Sequence, residues 1–305
     1  MQKKIDIIPS KQIDKTLWNQ TVASSANGLI YAQSQYLDAV TDQWDGLVIN
    51  HYEQIMPLPW RMKAGIKYLY TPPFTQQLGL IGKTLDLPIN QIIKRLQASF
   101  RYGSVLFNAG NGQLAKATGA SPKSNLLLNL DQSFDTVKSL FRKDHIKNAQ
   151  KALKAGLIYT DNISVQDAVL FYANIQGEKT KHVQAQHYQD LIQFCDQQLL
   201  ANQQCFTRAV IDASGVPMST ALFLNDQKRI YNILNATNDK GKSAESNHLL
   251  FYLLIQEFAE TNYLLDFEGS SIPGIKYFYE GFGCQEEIYS IWHYNKLPFP
   301  LSLIP

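Results

Sequence analysis

The order of elements predicted for the second half of the chain restricts its fold more than any other feature. Three runs rich in β-branched and aromatic residues, CFTRAVID, VPMSTALFL and RIYNILNA, are separated by the turn-forming stretches DASG and NDQK, which predicts a meander of three antiparallel strands. A long helix follows from about Ala244 to Thr261, and then a strand, YLLDFEG, a short helix and a last strand, EEIYSIWHYN. Elements in this order pack as a mixed sheet covered by helices, so the sequence predicts an α/β fold.

The first half of the chain repeats part of this order. Short runs rich in Tyr, Ile and Leu between Leu47 and Gly82 predict antiparallel strands, and a helix at about Ile89 to Phe100 precedes the strand SVLFNAG. The pairs "helix then SVLFNAGNG" and "helix then YLLDFEGSS" favour an internal duplication. Because 305 residues are also long for a single core, we predict two domains in tandem, residues 1–130 and 131–305, with a basic helical segment at 134–201 in the second.

Composition and charge limit the environment and the partners. The chain is 45% hydrophobic and 18% charged, which is typical of a soluble globular protein, and a net charge of +2 does not predict DNA binding through the field of the whole protein. The longest apolar run, Leu249 to Ile255, is far shorter than the roughly 20 residues that span a bilayer. The N-terminus has no signal-peptide core, and three widely spaced cysteines suit reduced thiols, so we expect a cytoplasmic protein without a membrane span. No histidine or cysteine motif predicts a metal site.

Two acidic residues, Asp266 and Glu268, stand in the predicted strand YLLDFEG. The two-residue period of a strand puts both carboxylates on one face, and a strand between two helices is normally covered on both faces. Burial would raise at least one of the two pKa values, which is how a general base that works near neutral pH arises. Glu268, nearer the end of the strand, is the candidate base. In the structural alternative Asp266 accepts hydrogen bonds from neighbouring backbone or from Tyr hydroxyls, and Glu268 or a serine caps the next helix.

The stretch GSSIPGIKYFYEGFG predicts a helix that begins at Ser270 or Ser271 and stops at Gly283. Its helical period places four apolar residues on one face, which predicts a contribution to the core from Ile272, Ile275, Phe278 and Phe282. Tyr279 lies at the edge of this face. It either packs as a ring with a wet hydroxyl or protonates a leaving group.

Two basic features suit phosphate groups. The loop NDKGKS precedes the long helix, and Gly241, Lys242 and Ser243, with the free N–H groups of the helix, could hold a pyrophosphate; in the structural alternative Ser243 caps the helix. Lysines also recur at spacings of four, four and three in the helix predicted from Phe134 to Ala155. These lysines are Lys143, Lys147, Lys151 and Lys154. They form either a solvated face or a surface that binds tRNA or a carrier protein.

Four stretches of the chain resemble the Fem-type branch of the GNAT superfamily, in which two GNAT-like halves are joined in one polypeptide. They are YLYTPPFTQQLGLIG, LLLNLDQSFDTVKSLFRKDHIKNAQKALKAGL, the strand meander and LDFEGSSIPGIKYFYEGFG, and together they touch most of the chain. The sequence departs from that pattern at two places. The coenzyme A signature keeps only Gly241, with Asn238 and Ser243 at its other two positions, and Tyr279 follows Phe278 where peptidoglycan-building Fem enzymes have a lysine.

The resemblance implies two tandem GNAT-like domains and an N-acyltransferase that moves an acyl group from acyl-CoA or a similar activated donor to an amine of a small molecule or peptide, without a metal. Glu268 would accept the amine proton, Tyr279 would assist the leaving group, and backbone N–H groups of YNILNA would stabilise the oxyanion. The donor contacts expected are Asn235, Gly241, Lys242 and Ser243, and the acceptor contacts are Gln76, Gln77, Tyr231 and Ser270.

Two other functions stay open at this point. The lysines from Lys143 to Lys154 favour a Fem-like transferase that uses aminoacyl-tRNA and acts on a cell-wall precursor. The altered NDKGKS loop favours a GNAT-fold binding module that has lost donor binding and catalysis.

Overall fold

The computed structural model describes residues 4–83, 87–180, 183–199, 204–269 and 272–303, and the chain divides into two compact units. The first unit comprises Met1–Lys123 together with Ile288–Pro305, and the second comprises Ser124–Glu287. This division differs from the boundary predicted between residues 130 and 131, because the strand at the predicted hinge pairs within the second unit and the last strand of the chain pairs within the first.

The first unit is built on a mixed sheet. Its elements in chain order are β1 (Ile5–Pro9), α1 (Lys15–Ser24), α2 (Ser34–Val40), β2 (Trp44–Ile49), β3 (Gln54–Lys63), β4 (Ile66–Leu69), β5 (Ile81–Gly82), α3 (Ile89–Ser99), β6 (Tyr102–Phe107), α4 (Gly112–Thr118) and, from Ile288, β13 (Gln285–Asn295). Strands β1 to β4 pair in order and antiparallel, and β5 pairs with β3. Strand β6 then pairs in parallel with β4, and β13 pairs antiparallel with β6.

The strands of the second unit pair in the order β7-β12-β11-β10-β9-β8. Its elements in chain order are β7 (Ser121–Asn129), α5 (Phe134–Ser139), α6 (Lys143–Lys154), β8 (Ile158–Thr160), α7 (Val165–Gln176), α8 (Ala185–Phe194), β9 (Cys205–Ile211), β10 (Pro217–Asn225), β11 (Arg229–Thr237), α9 (Asp239–Ser243), α10 (Ser246–Phe258), β12 (Leu264–Asp266) and α11 (Pro273–Glu280). Strands β11 and β12 are parallel, and the other neighbouring strands are antiparallel.

Both units use the same order of elements, which is what an internal duplication requires. Apart from the short strand β5 in the first unit and the short helix α9 in the second, each has a strand, two helices, three antiparallel strands, a helix, a strand parallel to the third of those strands, and another helix. The closing strands are exchanged: β7 follows α4 in the chain but pairs with β12, whereas β13 follows α11 but pairs with β6. The α/β prediction with mixed sheets is therefore confirmed.

Several helices begin or end where local chemistry interrupts them. The helix predicted from Phe134 to Ala155 is divided into α5 and α6, and the hydroxyl of Ser133 caps α5 by accepting a hydrogen bond from Thr136 N–H. Gly156 follows α6 with a φ of +78°, as the predicted stop requires. None of the helices in the described part of the chain combines the length and apolar character needed to cross a bilayer.

The core of the second unit is aromatic where α10 and α11 pack on the sheet, with Phe251, Phe267 and Phe282 fully buried. The predicted apolar face of α11 is correct only in its later part. Ile272, which precedes α11, and Ile275, in its first turn, are 60% and 39% exposed, so these two side chains do not pack into the core. The predicted serine caps, Ser270 and Ser271, lie outside the described residues, and α11 starts at Pro273.

Candidate functional site

Strand β11 extends well beyond the end of its neighbour β12. The two strands pair in parallel from Arg229 to Tyr231, opposite Leu264 to Asp266, and β12 then ends. Strand β11 continues to Thr237 and remains paired with β10 on its other side. In the described part of the chain, no strand pairs with the second edge of β11 after Tyr231. Backbone N–H and C=O groups on such an edge are available to an extended ligand.

A β-bulge interrupts β11 at Ile233. Its neighbours keep their partners on β10, since Asn232 lies opposite Phe223 and Leu234 lies opposite Leu222. In a regular strand, residues 232 and 235 would point to opposite faces, because their separation is odd. The extra residue changes that alternation. It allows the side chains of both asparagines, Asn232 and Asn235, to contact the helices that follow the strand.

A cavity of about 350 Å³ lies at this end of β11. Strand β11 contributes Asn235, which exchanges hydrogen bonds with Asn247 of α10 at 3.0 and 3.1 Å. Helix α11 contributes Gly274 and Tyr279, and Gln176 at the end of α7 also lines the cavity. All of the lining residues belong to the second unit. The volume falls in the range of small-molecule sites, and polar groups on several elements converge there.

Asp266 lies at the end of β12 in a charged network that is largely buried. Its side chain is 1% exposed, and its Oδ2 lies 3.1 Å from both Arg229 Nη1 and Asn125 Nδ2. Arg229 also donates to Glu287 at 2.9 Å. Burial raises the pKa of Asp266 to about 6, although the charge of Arg229 acts in the opposite direction. These contacts are those of a structural residue, although Asp266 Oδ2 accepts from the side chains of Arg229 and Asn125 and not from the tyrosine hydroxyls that the structural alternative named.

Glu268 lies beyond the end of β12, and its backbone φ is +62°. The prediction that strand alternation puts it on the same face as Asp266 is therefore wrong, because the strand has already ended. Its backbone N–H instead donates to Asp266 Oδ1 at 2.9 Å. Burial, and secondarily the charge of Glu287, raise the pKa of the Glu268 carboxyl well above its usual value. A carboxyl group of this kind suits proton transfer at a pH where an ordinary glutamate is fully ionised.

Tyr279 is buried against the aromatic core and lines the cavity. Its ring packs on Phe267 and Phe251, at centroid distances of 4.8 and 5.5 Å. Its hydroxyl oxygen accepts a hydrogen bond from Asn232 Nδ2 at 3.1 Å. Burial raises the pKa of the phenol above its ordinary value, and Glu268 adds to that rise. Tyr279 therefore has the packed ring that one sequence alternative predicted, and its role in protonating a leaving group stays a prediction.

The end of α11 is held by the start of α6. Arg142 donates its backbone N–H to Gly281 O at 2.9 Å and its Nη2 to Tyr277 O at 2.8 Å, while His145 Nε2 lies 2.8 Å from Phe278 O. Cationic and N–H groups are favourable at the carbonyl end of a helix. These contacts place α11, and with it Tyr279, relative to the sheet.

No family model and no curated protein matches the sequence. Among solved structures, FemX superposes with a TM-score of 0.65 at 12% identity, covering 95% of this chain and 97% of FemX. A tandem GNAT protein from the clavulanic acid biosynthesis pathway gives 0.57 at 10% identity, covering 97% and 99%. L-PGS from Bacillus licheniformis gives 0.57 at 9%, covering 96% and 95%. The chain has a tandem GNAT-like fold of the Fem-like kind.

In this tandem GNAT-like fold, three of the four predicted donor contacts line the cavity: Asn235, Gly241 and Lys242. Ser243 does not line it, and it does not cap α10 either, because the chain forms the separate helix α9 first. Asn238 caps α9 and accepts the N–H of Gly241 at 2.7 Å. That N–H is therefore already bonded within the protein.

The predicted acceptor contacts are distributed over both units of the chain. Gln76 and Gln77 lie in the first unit, where Gln77 is buried and donates to Gln76 Oε1 at 2.9 Å. Tyr231 is fully buried and donates its hydroxyl to Asp226 at 2.5 Å, which is the environment of a core residue. Ser270 lies outside the described residues. The acceptor role of these four residues stays a prediction.

Charged groups surround the start of α10 at the cavity. Glu245 precedes α10 with a φ of +61°, and its carboxylate lies 3.5 Å from Lys151 Nζ and 3.1 Å from His248 Nδ1. Lys242 pairs with Asp239 at 2.7 Å. Lysines 143, 147, 151 and 154 are all exposed, as a solvated face would be. Within the described residues, no cluster of histidine, cysteine and acidic side chains could hold a metal ion.

Sequence reasoning missed Asn232, His145 and His248. The centroids of the two histidine rings lie 4.7 Å apart although the residues are far apart in the chain, and burial together with the charge of His145 lowers the pKa of His248 to about 4. No local motif marks any of these three residues. Their contacts arise only when α6, α10 and α11 pack together.

Proposed function

We propose that the protein is an N-acyltransferase that takes an acyl thioester in the cavity at β11 and transfers the acyl group to an amine. The observation that carries the proposal is the cavity itself, which lies at the unpaired edge of β11 and is lined by Tyr279. An acyl carrier arm of the pantetheine type is an extended chain with amide groups. It would pair with the free backbone edge of β11 as an added strand does.

The residues present fit the thioester arm better than the phosphate end of coenzyme A. Lys242 and Lys151 would attract phosphates at the start of α10. However, the N–H of Gly241 is bonded to Asn238, and the carboxylate of Glu245 lines the same cavity. We therefore propose the acyl thioester as the donor class, with acyl-CoA as one member. Acetyl-CoA is named for the tandem GNAT protein of the clavulanic acid pathway, which makes it the first donor to test.

The proposed reaction is direct transfer. The amine nitrogen attacks the thioester carbon and loses its proton to Glu268, directly or through water, because the raised pKa of that carboxyl favours proton acceptance. Backbone N–H groups on the free edge of β11 would stabilise the negative charge on the carbonyl oxygen. The carbon–sulfur bond then breaks, and the phenol of Tyr279 gives its proton to the leaving sulfur.

Calorimetric titration with acetyl-CoA and with longer acyl-CoAs tests the proposal, together with turnover on a panel of amines. A matched pair of variants locates the site. Gly274 lines the cavity, and a Cβ added there would meet no atom within 4 Å, so Gly274→Ala should leave the cavity open, whereas the indole of Gly274→Trp should occupy it. We expect Gly274→Trp alone to abolish the binding heat. Donor binding that survives Gly274→Trp would contradict the proposed site.

A second candidate is a transferase that takes its acyl group from aminoacyl-tRNA. The exposed lysines 143, 147, 151 and 154 on α6 favour it, because such a stripe attracts a phosphate backbone. Charged tRNA should then bind with a steep dependence on salt, and Lys147→Glu should weaken it strongly. Binding of acyl-CoA with no response to tRNA would reject this candidate, whereas donor binding without any turnover would indicate a binding module.

A further inference from the structure

Asn232 makes a contact that its position in the core alone does not explain. The side chain is 4% exposed, and its Nδ2 donates to the hydroxyl oxygen of Tyr279 at 3.1 Å. Its Oδ1 is buried and has no hydrogen-bond partner within the described residues. A buried amide normally has hydrogen-bond partners for both its N–H and its C=O group, so the unpaired oxygen of Asn232 lowers the stability of the fold. In return, the amide N–H of Asn232 is bonded to Tyr279.

The direction of this hydrogen bond decides what Tyr279 can do. While the amide donates to the phenolic oxygen, the phenol's own hydrogen is available to another acceptor. In the reverse orientation the phenol would donate to Oδ1, and both amide hydrogens would be buried without a partner. Buried N–H groups are left unpaired more rarely than buried carbonyl oxygens, which favours the amide as donor. Tyr279 then has a proton to offer in the cavity that it lines.

We propose that Asn232 is a positioning residue for the transfer reaction: its amide N–H engages the oxygen of Tyr279 and leaves the phenol hydrogen for the departing sulfur. The inference rests on the proposed function. In the step concerned, the nitrogen–carbon bond forms and the carbon–sulfur bond breaks. The sulfur takes the phenol proton, and the Asn232 N–H stabilises the resulting phenolate. The amine proton passes to Glu268, which releases it to water, and the phenolate regains a proton from water, so no net proton is gained or lost.

The electrostatics of the pair agree with this assignment. Burial raises the pKa of Tyr279, whereas the hydrogen bond from Asn232 lowers it and so assists proton release. The bulge at Ile233 lies directly beside Asn232. It adjusts the strand so that Asn232 reaches Tyr279 while Asn235 still reaches Asn247.

Leaving-group dependence tests the proposal. Turnover is measured with an alkyl thioester and an aryl thioester of the same acyl group, because an aryl thiolate is a weaker base and departs without a proton. Asn232→Asp keeps the shape but puts an acceptor beside the phenol. We expect it to lower kcat on the alkyl thioester by about 10²-fold, and on the aryl thioester by less than about 3-fold. Asn225→Asp, at another buried asparagine that does not contact Tyr279, is the matched control and should leave both rates unchanged.

A double-mutant comparison separates positioning from a structural effect. In a Tyr279→Phe background, Asn232→Asp should cause almost no further loss on the alkyl thioester, since the proton that it controls is already absent. Equal losses on both thioesters, or losses that multiply in the double variant, would overturn the proposal.

A spectroscopic readout keeps the test independent of turnover. A fluorinated tyrosine at position 279 ionises at lower pH, and its ¹⁹F signal reports the phenol pKa. Replacing Asn232 with Ala or Asp should raise that pKa, and an unchanged pKa would reject the positioning role. If the wild-type protein turns over no thioester while the ¹⁹F titration shifts as expected, the proposed function fails and the Asn232 contact stands.

Discussion

Arg229 balances two carboxylates in the second unit, and its removal gives a prediction whose size follows from the structure. Its guanidinium lies 3.1 Å from Asp266 and 2.9 Å from Glu287. Arg229→Met would leave both acids without this partner while Asp266 remains buried. Breaking a buried ion pair on one side typically costs about 3–5 kcal/mol. We therefore expect a loss of that order in the free energy of unfolding at pH 8.

The loss should depend on pH in a defined direction. The pKa of Asp266 is about 6 in the folded protein against an ordinary value of 3.8, so the folded state binds more protons between these values and loses stability as the pH rises through them. That difference corresponds to about 3 kcal/mol in the wild type. Without Arg229 the pKa of Asp266 rises further, so the window extends upward. The variant should lose at least about 1 kcal/mol more than the wild type between pH 5 and pH 8.

Urea unfolding at pH 5 and pH 8 measures both effects. Circular dichroism follows the whole chain, and tryptophan fluorescence follows the first unit, because all four tryptophans (Trp18, Trp44, Trp60 and Trp292) lie there. Arg61→Met is the control, since its pair with Asp42 is partly exposed and should cost less than about 1 kcal/mol. A pH-independent loss in Arg229→Met, or a loss no larger than that of the control, would refute the reasoning.

Two further predictions concern α11 and the proposed base. Gly281→Ala should lower the free energy of unfolding by about 1–3 kcal/mol, because its Cβ would lie 2.2 Å from ring atoms of the buried His145. Gly274→Ala is the control and should change that free energy by less than about 0.5 kcal/mol. Equal losses in urea unfolding would contradict this prediction. A base with a raised pKa must lose its proton to act, so kcat/KM should rise with pH through a midpoint above the ordinary glutamate value of 4.5, and Glu268→Gln should remove this rise and most of the activity. An unchanged pH profile in that variant would exclude Glu268 as the base.

Much of the fold could be predicted because local sequence patterns determine most of its strands and helices. The meander from Cys205 to Thr237 and the helices before β6 and β12 follow from strand and helix periods and from turn residues. The exchange of β7 and β13 could not be predicted in the same way. The alternation of side chains along a strand does not specify its partner, and β7 pairs with β12 while β13 pairs with β6.

Some residues of the candidate site could likewise be predicted from local sequence, and others could not. Glu268 and Tyr279 stand out because an acid after a strand and a tyrosine beside an apolar helix face are visible in the sequence. The separate roles of Asp266 and Glu268 are not visible, since they depend on where β12 ends and on Arg229 from a different strand. The role of Asn232 is likewise not visible in the sequence, because the bulge that orients its side chain arises from the register between β10 and β11.

The two units share an order of elements, but strand length distinguishes them at the position of the proposed reaction. In the first unit, β4 ends at Leu69, the residue that pairs with Gly103 of β6, so it has no strand edge beyond the parallel pairing. In the second unit, β11 continues from Asn232 to Thr237 after its pairing with β12 has ended. An extended donor arm needs such a length of unpaired backbone in order to bind as an added strand. Because only β11 of these two equivalent strands has that length, we infer that acyl transfer belongs to the second unit.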